Sequence, residues 1–282
     1  MLYAPPLPRE IPVGMNRVLF PLLLLLGSGG ILLSFLRARS RAVFAQDGFT
    51  TPGRRAAGLG LLAAVLLLTV AIPFAFGFAG AAPEARDLSF VSLFGVHAIL
   101  ACFLVCYYLL SGRRSPAEFL RLRSEKPLSD LTAGIFIGSA GWLLTILLAA
   151  LFVGIWYLLR GSPPGDVGEG REVSPMIVWL VAQPVGVKLA IVCSAMFVEE
   201  FFFRSFLQTR VGPVAATLMF TAAHGAYGQP LVLVGIFVIS GVLSLAFALY
   251  RNVLPCIVAH GAFDAIQMFV VIPLVTRATS AG

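Results

Sequence analysis

Eight apolar stretches separated by short polar loops dominate this sequence. They fall at about 18–36, 57–82, 88–111, 131–159, 176–206, 214–228, 231–249 and 254–275. A helix needs about 20 apolar residues to cross the hydrocarbon core of a bilayer, where the backbone must satisfy its own hydrogen bonds. The pattern therefore predicts an all-α protein, a polytopic transmembrane bundle of about eight helices.

The composition agrees with a protein that lives in the bilayer. Hydrophobic residues make up 59% of the 282 residues and charged residues only 12%, whereas a soluble domain carries about 25% charged residues. The net charge of +7 comes mainly from arginines in the short loops, which favours contacts with anionic lipid and argues against nucleic-acid binding. We expect the lipid bilayer as a partner and no nucleic acid.

The arginines also predict an orientation. The loops after the first and third stretches are rich in arginine, and the loops between them carry few basic residues. The positive-inside rule then places the arginine-rich loops in the cytoplasm and the N-terminus outside. Because arginines lie between the first stretch and a possible cleavage site at residues 43–45, this stretch is predicted to be a retained helix. The preference for arginine, alanine and glycine suggests a GC-rich bacterial genome, so we expect an inner (cytoplasmic) membrane protein.

The chain divides into two predicted regions. Residues 1–172 form an N-terminal four-helix membrane region, and residues 173–276 form a region that carries the unusual polar residues. Pro73 and Pro184 are expected to kink their helices. Gly134 and Gly138 are spaced for close contact with another helix.

Two adjacent carboxylates stand out within the fifth stretch. Glu199 and Glu200 lie in apolar sequence, where an ionisable group is costly unless it is paired or functional. Glu200 and Arg204 are neighbours at i,i+4 and are predicted to form an ion pair. Glu199 points about 100° away and needs another partner.

Polar residues in two later stretches are predicted to lie at the depth of Glu199. Phe220 and His224 share one helix face, as do His260 and Asp264. Counted from the nearest loop residue, Glu199, His224 and His260 lie nine to eleven residues into their spans, which is roughly 14–16 Å at the rise of an α-helix. This shared level, near the middle of the bilayer, predicts a single site.

The chemistry that these groups favour is the activation of water. A glutamate and an imidazole can share a proton and orient a water molecule, and a second imidazole, placed by Asp264, can donate to a developing oxyanion. No serine or cysteine has an obvious histidine neighbour in the sequence. His97 has no polar neighbour at helical spacing and is interpreted as structural.

Three ordered motifs in residues 176–275 resemble the CPBP family of CAAX-processing, bacteriocin-processing or abortive-infection intramembrane proteases. They are Glu199-Glu200-x-x-x-Arg204, Phe220-x-x-x-His224 and His260-x-x-x-Asp264. The resemblance implies an intramembrane glutamic endopeptidase with a catalytic cavity and no cofactor. It further implies that Glu199 and His224 activate water, that His260 and position 264 form the oxyanion hole, and that Glu200, Arg204 and Phe220 support them.

One motif departs from the prenyl-protein proteases of this family, in which position 264 is typically Asn. A carboxylate donates to an oxyanion only when it is protonated, so Asp264 is a candidate for orienting His260. The substrate is expected to be a membrane-delivered peptide or protein. Prenylated C-terminal peptides, bacteriocin or pheromone precursors, and C-terminal sorting tails of surface proteins all remain open.

Two alternatives to this protease remain open at the level of sequence. The first is a zinc-dependent membrane protease that uses Glu199, His224 and His260 as ligands, although no His-Glu-x-x-His motif is present. The second is a non-catalytic immunity, scaffold or transport protein whose acid–histidine cluster relays protons.

Overall fold

The structure is a computed structural model of the chain and describes residues 26–35, 37, 44, 47–78, 89–112, 115–162 and 175–274. The start of the predicted span 18–36 and the loops around Arg86 and Arg171 lie outside these residues. All regular secondary structure within the described ranges is helical, so the predicted all-α helical bundle is confirmed.

Ten helices follow one another along the described chain. They are α1 (Leu26–Phe35), α2 (Pro52–Leu66, continuing as Leu67–Ala71 and Ile72–Phe78), α3 (Phe90–Leu110), α4 (Pro116–Phe119), α5 (Pro127–Arg160), α6 (Pro175–Ala182), α7 (Val185–Glu199, continuing as Glu200–Gln208 and Thr209–Val211), α8 (Pro213–Ala223), α9 (Pro230–Tyr250) and α10 (Leu254–Ile266, continuing as Gln267–Val271). Four of them, α2, α5, α9 and α10, are long and apolar enough to cross a membrane. The protein is therefore an integral membrane protein.

The two prolines act differently on their helices. The predicted fifth span divides at Pro184, whose backbone is extended (φ −59°, ψ 152°), so α6 ends at Ala182 and α7 begins at Val185. Pro73 lies inside α2, just after the π-helical segment Leu67–Ala71. A π-helical turn is one of the local adjustments that accommodate a proline without breaking a membrane helix.

Glycines bring α5 against α10, the helix that carries His260. A Cβ on Gly134 would lie 2.6 Å from Val258 Cβ, and a Cβ on Gly138 would meet the carbonyl oxygen of Ala259. Only glycine allows the two backbones to approach so closely, which confirms the close contact predicted from the Gly-x-x-x-Gly spacing. The contact fixes the position of α10 at Ala259, the residue immediately before His260.

Three inter-helix segments and the last turns of α7 meet at one end of the bundle. Arg210 Nε lies 3.2 Å from Asp47 Oδ2, and Ser205 Oγ donates to the carbonyl oxygen of Leu120 at 2.7 Å. The N–H of Val253 donates to the carbonyl oxygen of Arg121 at 3.0 Å. These contacts join residues at or beyond the ends of the first, third, fifth and seventh predicted spans, so these residues lie on the same side of the bundle.

Aromatic side chains fill the core between α3 and α7. Phe103, Tyr107, Phe202 and Phe206 are buried and meet mainly edge to face, with ring centroids 4.7–5.6 Å apart in the contacts between the two helices. Edge-to-face contacts are the favoured geometry for such rings. This cluster holds α7 against α3 and thereby sets the position of the carboxylates on α7.

Candidate active site

The two adjacent carboxylates lie where α7 changes its winding. Glu199 ends the α-helical part, and Glu200 begins the π-helical segment Glu200–Gln208. Segments of π-helix are rare and occur frequently at functional sites. An unbroken α-helix was predicted here, so this change in winding differs from the prediction.

Glu200 belongs to a fully buried ion pair. Arg204 Nε donates to Glu200 Oε2 at 3.1 Å, and both side chains are inaccessible to solvent. The other nitrogens of Arg204 donate to Ser244 Oγ and Ser240 Oγ on α9, each at 3.2 Å. The predicted pairing of Glu200 with Arg204 is therefore present, and α9 completes it.

Glu199 faces two histidines from two other helices. Its Oε1 lies 3.1 Å from Nε2 of His97 on α3, and its Oε2 lies 3.9 Å from Nε2 of His224 at the end of α8. The side chains of Glu199 and His97 are buried, and that of His224 is about one-fifth exposed. The predicted approach of Glu199 and His224 is found, whereas the contact with His97 was missed.

The hydrogen bond of His224 to the backbone defines which ring nitrogen is basic. His224 Nδ1 lies 2.8 Å from the carbonyl oxygen of Phe220, and a carbonyl oxygen can only accept, so Nδ1 carries the hydrogen. In the neutral ring Nε2 is then an acceptor, and this is the nitrogen that faces Glu199. The tautomer follows from the backbone contact.

Phe220 packs between the charged groups of the site. Its ring stacks on His224 at a centroid distance of 4.6 Å and meets His260 edge to face at 6.0 Å. The guanidinium carbon of Arg204 lies 4.9 Å from the centre of the same ring. Phe220 therefore contacts Arg204, His224 and His260, and its supporting role stays a prediction.

His260 lies between two carboxylates. Its Nδ1 is 2.9 Å from Glu200 Oε1, and its Nε2 is 3.4 Å from Asp264 Oδ2. The pairing with Asp264 was expected from the i,i+4 spacing, whereas the contact with Glu200 was not. Glu200 thus links Arg204 to His260 and connects the ion pair to the second histidine.

Among the described residues, these side chains form no metal cluster and do not line the cavity beside α1 and α2. Within the described part of the chain, no group of three or more His, Cys, Asp or Glu side chains is arranged to hold a metal ion. A cavity of about 900 Å³ lies instead between α1 and the first half of α2, lined by residues such as Leu32, Phe35 and Leu59. Its lining contains none of the carboxylates or histidines described above.

A comparison with known families matches one segment within the C-terminal half of the chain. Residues 181–266 match the family model of the type II CAAX prenyl endopeptidases, Rce1-like. No curated protein and no solved structure matches the chain. The resemblance drawn from the three motifs is confirmed by this match, which implies CAAX-type intramembrane protease activity. Of the polar groups at the site, only His97 comes from outside the matched residues.

Proposed function

We propose that this protein is an intramembrane endopeptidase of the glutamic type, in which Glu199 and His224 activate the attacking water. The family match supports protease activity, and one observation supports this particular mechanism. The gap of 3.9 Å between Glu199 Oε2 and His224 Nε2 is too long for a direct hydrogen bond and suits a bridging water molecule.

The proposed reaction begins with that water. One of its O–H groups donates to Glu199 Oε2 and the other to His224 Nε2, which orients an oxygen lone pair towards the carbonyl carbon of the substrate. As the new C–O bond forms, the water loses one proton to Glu199. Collapse of the tetrahedral intermediate breaks the C–N bond, and this proton passes to the leaving amine. The products are a free carboxyl group and a free amine.

We assign the stabilisation of the oxyanion to His260. Its Nδ1–H donates to Glu200, so in this proposal the ring carries a hydrogen on both nitrogens, and the Nε2–H, in long contact with Asp264, is the group that turns towards substrate. Asp264 keeps the ring in place in this proposal. No step requires a metal ion; metal analysis of the purified protein and its sensitivity to chelators separate this mechanism from the zinc-dependent alternative.

We further propose that the substrate is a membrane-delivered peptide or protein cleaved in a bacterial inner membrane. Comparison of protein C-termini by mass spectrometry in cells with and without the gene identifies it. Proteins with longer C-termini in the deletion cells are the expected result. Identical C-termini in both cell types, together with no cleavage of a farnesylated CAAX peptide, would overturn the proposal.

The mechanism is tested with Glu199→Gln and His224→Ala in the deletion cells. Loss of a general base is expected to slow cleavage by about 10²- to 10⁴-fold, so the long C-termini should persist in both variants. Glu125→Gln, which changes an exposed carboxylate in the loop before α5, is the matched control and should restore cleavage. Near-normal processing by Glu199→Gln would refute the role of Glu199.

A further inference from the structure

We infer that His97 is a positioning residue that holds Glu199 in the orientation used for water activation. This inference rests on the proposed function and extends the site to α3, beyond residues 181–266. As whole residues, His97 is 8% exposed and Glu199 is 9% exposed. The contact between them is therefore shielded from competing water.

The geometry assigns one carboxylate oxygen to each histidine. A carboxylate only accepts hydrogen bonds, so the contact of 3.1 Å means that His97 Nε2–H donates to Glu199 Oε1. With Oε1 held in this way, rotation of the carboxylate is blocked and Oε2 faces His224. The distance between Glu199 Oε2 and His224 Nε2, where the attacking water lies, therefore depends on α3 as well as on α7 and α8.

A second contact fixes the ring of His97 itself. Its Nδ1 lies 2.9 Å from Oγ of Ser194, five residues before Glu199 on α7, and the carbonyl oxygen of Ile191 lies 3.0 Å from the same oxygen, so these two acceptors share the single hydroxyl hydrogen of Ser194. The ring of Phe94 packs against His97 edge to face at 6.5 Å. Both ring nitrogens of His97 are therefore occupied, and the imidazole cannot turn away from Glu199.

The same three residues also resemble a serine–histidine–acid triad, which gives a competing interpretation. In that arrangement His97 would remove a proton from Ser194, and Glu199 would orient the ring. The carbonyl oxygen of Ile191 competes with His97 for the hydroxyl hydrogen of Ser194 and draws it along its own helix, which speaks against a nucleophile. The resemblance of the three motifs to glutamic intramembrane proteases also favours a water-based reaction.

Two substitutions of His97 separate positioning from simple packing. In His97→Gln the side-chain amide reaches about the place of Nε2 and retains the donor to Glu199. In His97→Asn the amide reaches only the place of Nδ1 and retains the contact with Ser194. The assay substrate is a synthetic peptide that spans the cleavage site found by comparing C-termini. We expect His97→Asn to lower kcat by about 10- to 100-fold at little-changed KM. His97→Gln should retain most of kcat.

The outcomes distinguish the inference from the proposed function. Equal activity of His97→Gln and His97→Asn, or a loss that appears in KM alone, overturns the positioning role. If Glu199→Gln cleaves the peptide as fast as the unmodified protein, the proposed function itself fails. Thermal unfolding in detergent is measured for each variant, and a fall in kcat that tracks the unfolding midpoint also counts against positioning.

Ser194→Ala and a fluorophosphonate probe test the competing triad. We expect Ser194→Ala to reduce kcat less than His97→Asn does, and the probe to leave the protein unlabelled. Complete loss of cleavage in Ser194→Ala, together with labelling of Ser194 by the probe, would overturn the inference in favour of a serine nucleophile.

Discussion

The two neighbouring carboxylates Glu199 and Glu200 enter separate networks. Glu200 is held by Arg204 and His260, whereas Glu199 contacts His97 and faces His224. The two networks share no side chain in these contacts, so the adjacent acids can differ in role although they are identical in type. Substitutions at the two positions are therefore expected to change different properties.

Arg204→Met should destabilise the fold. It leaves Glu200 buried with His260 alone and removes the hydrogen bonds to Ser240 and Ser244. Breaking a buried ion pair by removing one partner costs about 3–5 kcal/mol, so the thermal unfolding midpoint in detergent should fall clearly. Arg160→Met, which removes an exposed arginine at the end of α5, is the control. Equal midpoints for the two variants would contradict the prediction.

Asp264→Asn tests what the carboxylate does for His260. The amide oxygen can still accept from His260 Nε2, so we expect cleavage within about tenfold of the unmodified protein. Asp264→Leu removes the acceptor, leaves the ring unanchored and should lower cleavage by about 10- to 100-fold. Rates on the identified substrate peptide provide the measurement. A loss in Asp264→Asn as large as in Asp264→Leu would show that the negative charge itself is required.

At the scale of single residues, the sequence predicted contacts within one helix more readily than contacts between helices. The pairs Glu200–Arg204 and His260–Asp264 follow from i,i+4 spacing, and the approach of Glu199 to His224 follows from equal depth. His97 was missed because its partner lies 102 residues away and its own helix offers no polar neighbour. An estimate of the depth of His97 within its span is the signal that would have suggested the contact.

At the scale of helices, hydropathy predicted where the elements lie but not how they are wound. The predicted spans 131–159 and 231–249 agree closely with α5 and α9. The π-helical segments in α2, α7 and α10 leave no signal in hydropathy, because they alter hydrogen bonding rather than the order of apolar residues. The helix breaks at Pro184 because proline has no backbone N–H and cannot donate the hydrogen bond that would continue the helix.

Gly138→Ala should perturb the packing of α5 on α10. The added methyl group would meet the carbonyl oxygen of Ala259, next to His260, so the helices must move apart. Overpacking of this kind costs about 1–3 kcal/mol, and both the unfolding midpoint and the cleavage rate should fall. Gly154→Ala is the matched control, because a Cβ there meets nothing within 4 Å. Equal behaviour of the two variants would show that the close contact is unimportant.

At the scale of the molecule, the site extends across the predicted division of the chain. The regions 1–172 and 173–276 remain a prediction, and α3 from the first supplies His97 to a site otherwise built by the second. Residues at or beyond the ends of alternate spans meet at one end of the bundle. The predicted orientation assumes that successive loops lie on alternate sides of the membrane, and this arrangement agrees with that assumption.

Cysteine labelling tests that orientation. We expect Glu125→Cys, in the arginine-rich loop before α5, to be protected in intact cells from a membrane-impermeant maleimide and to react after lysis. Ser162→Cys, beyond the opposite end of α5, should react in intact cells, because both positions are exposed and α5 is long and apolar enough to span the bilayer. The unmodified protein, with its native cysteines, gives the background. The reverse pattern would invert the proposed topology.

The winding of α7 has a consequence for insertions and deletions. A π-helical turn contains one residue more than the α-helical turn that it replaces, so losing one residue within Glu200–Gln208 would let this segment relax into an α-helix. Because the π-helical turn absorbs that extra residue, the residues that follow would keep nearly the same orientation, with Arg210 still beside Asp47. The loss of one residue from the α-helical part Val185–Glu199 would instead rotate everything that follows by about 100° around the helix axis, so α7 tolerates a change of length better in one of its parts than in the other.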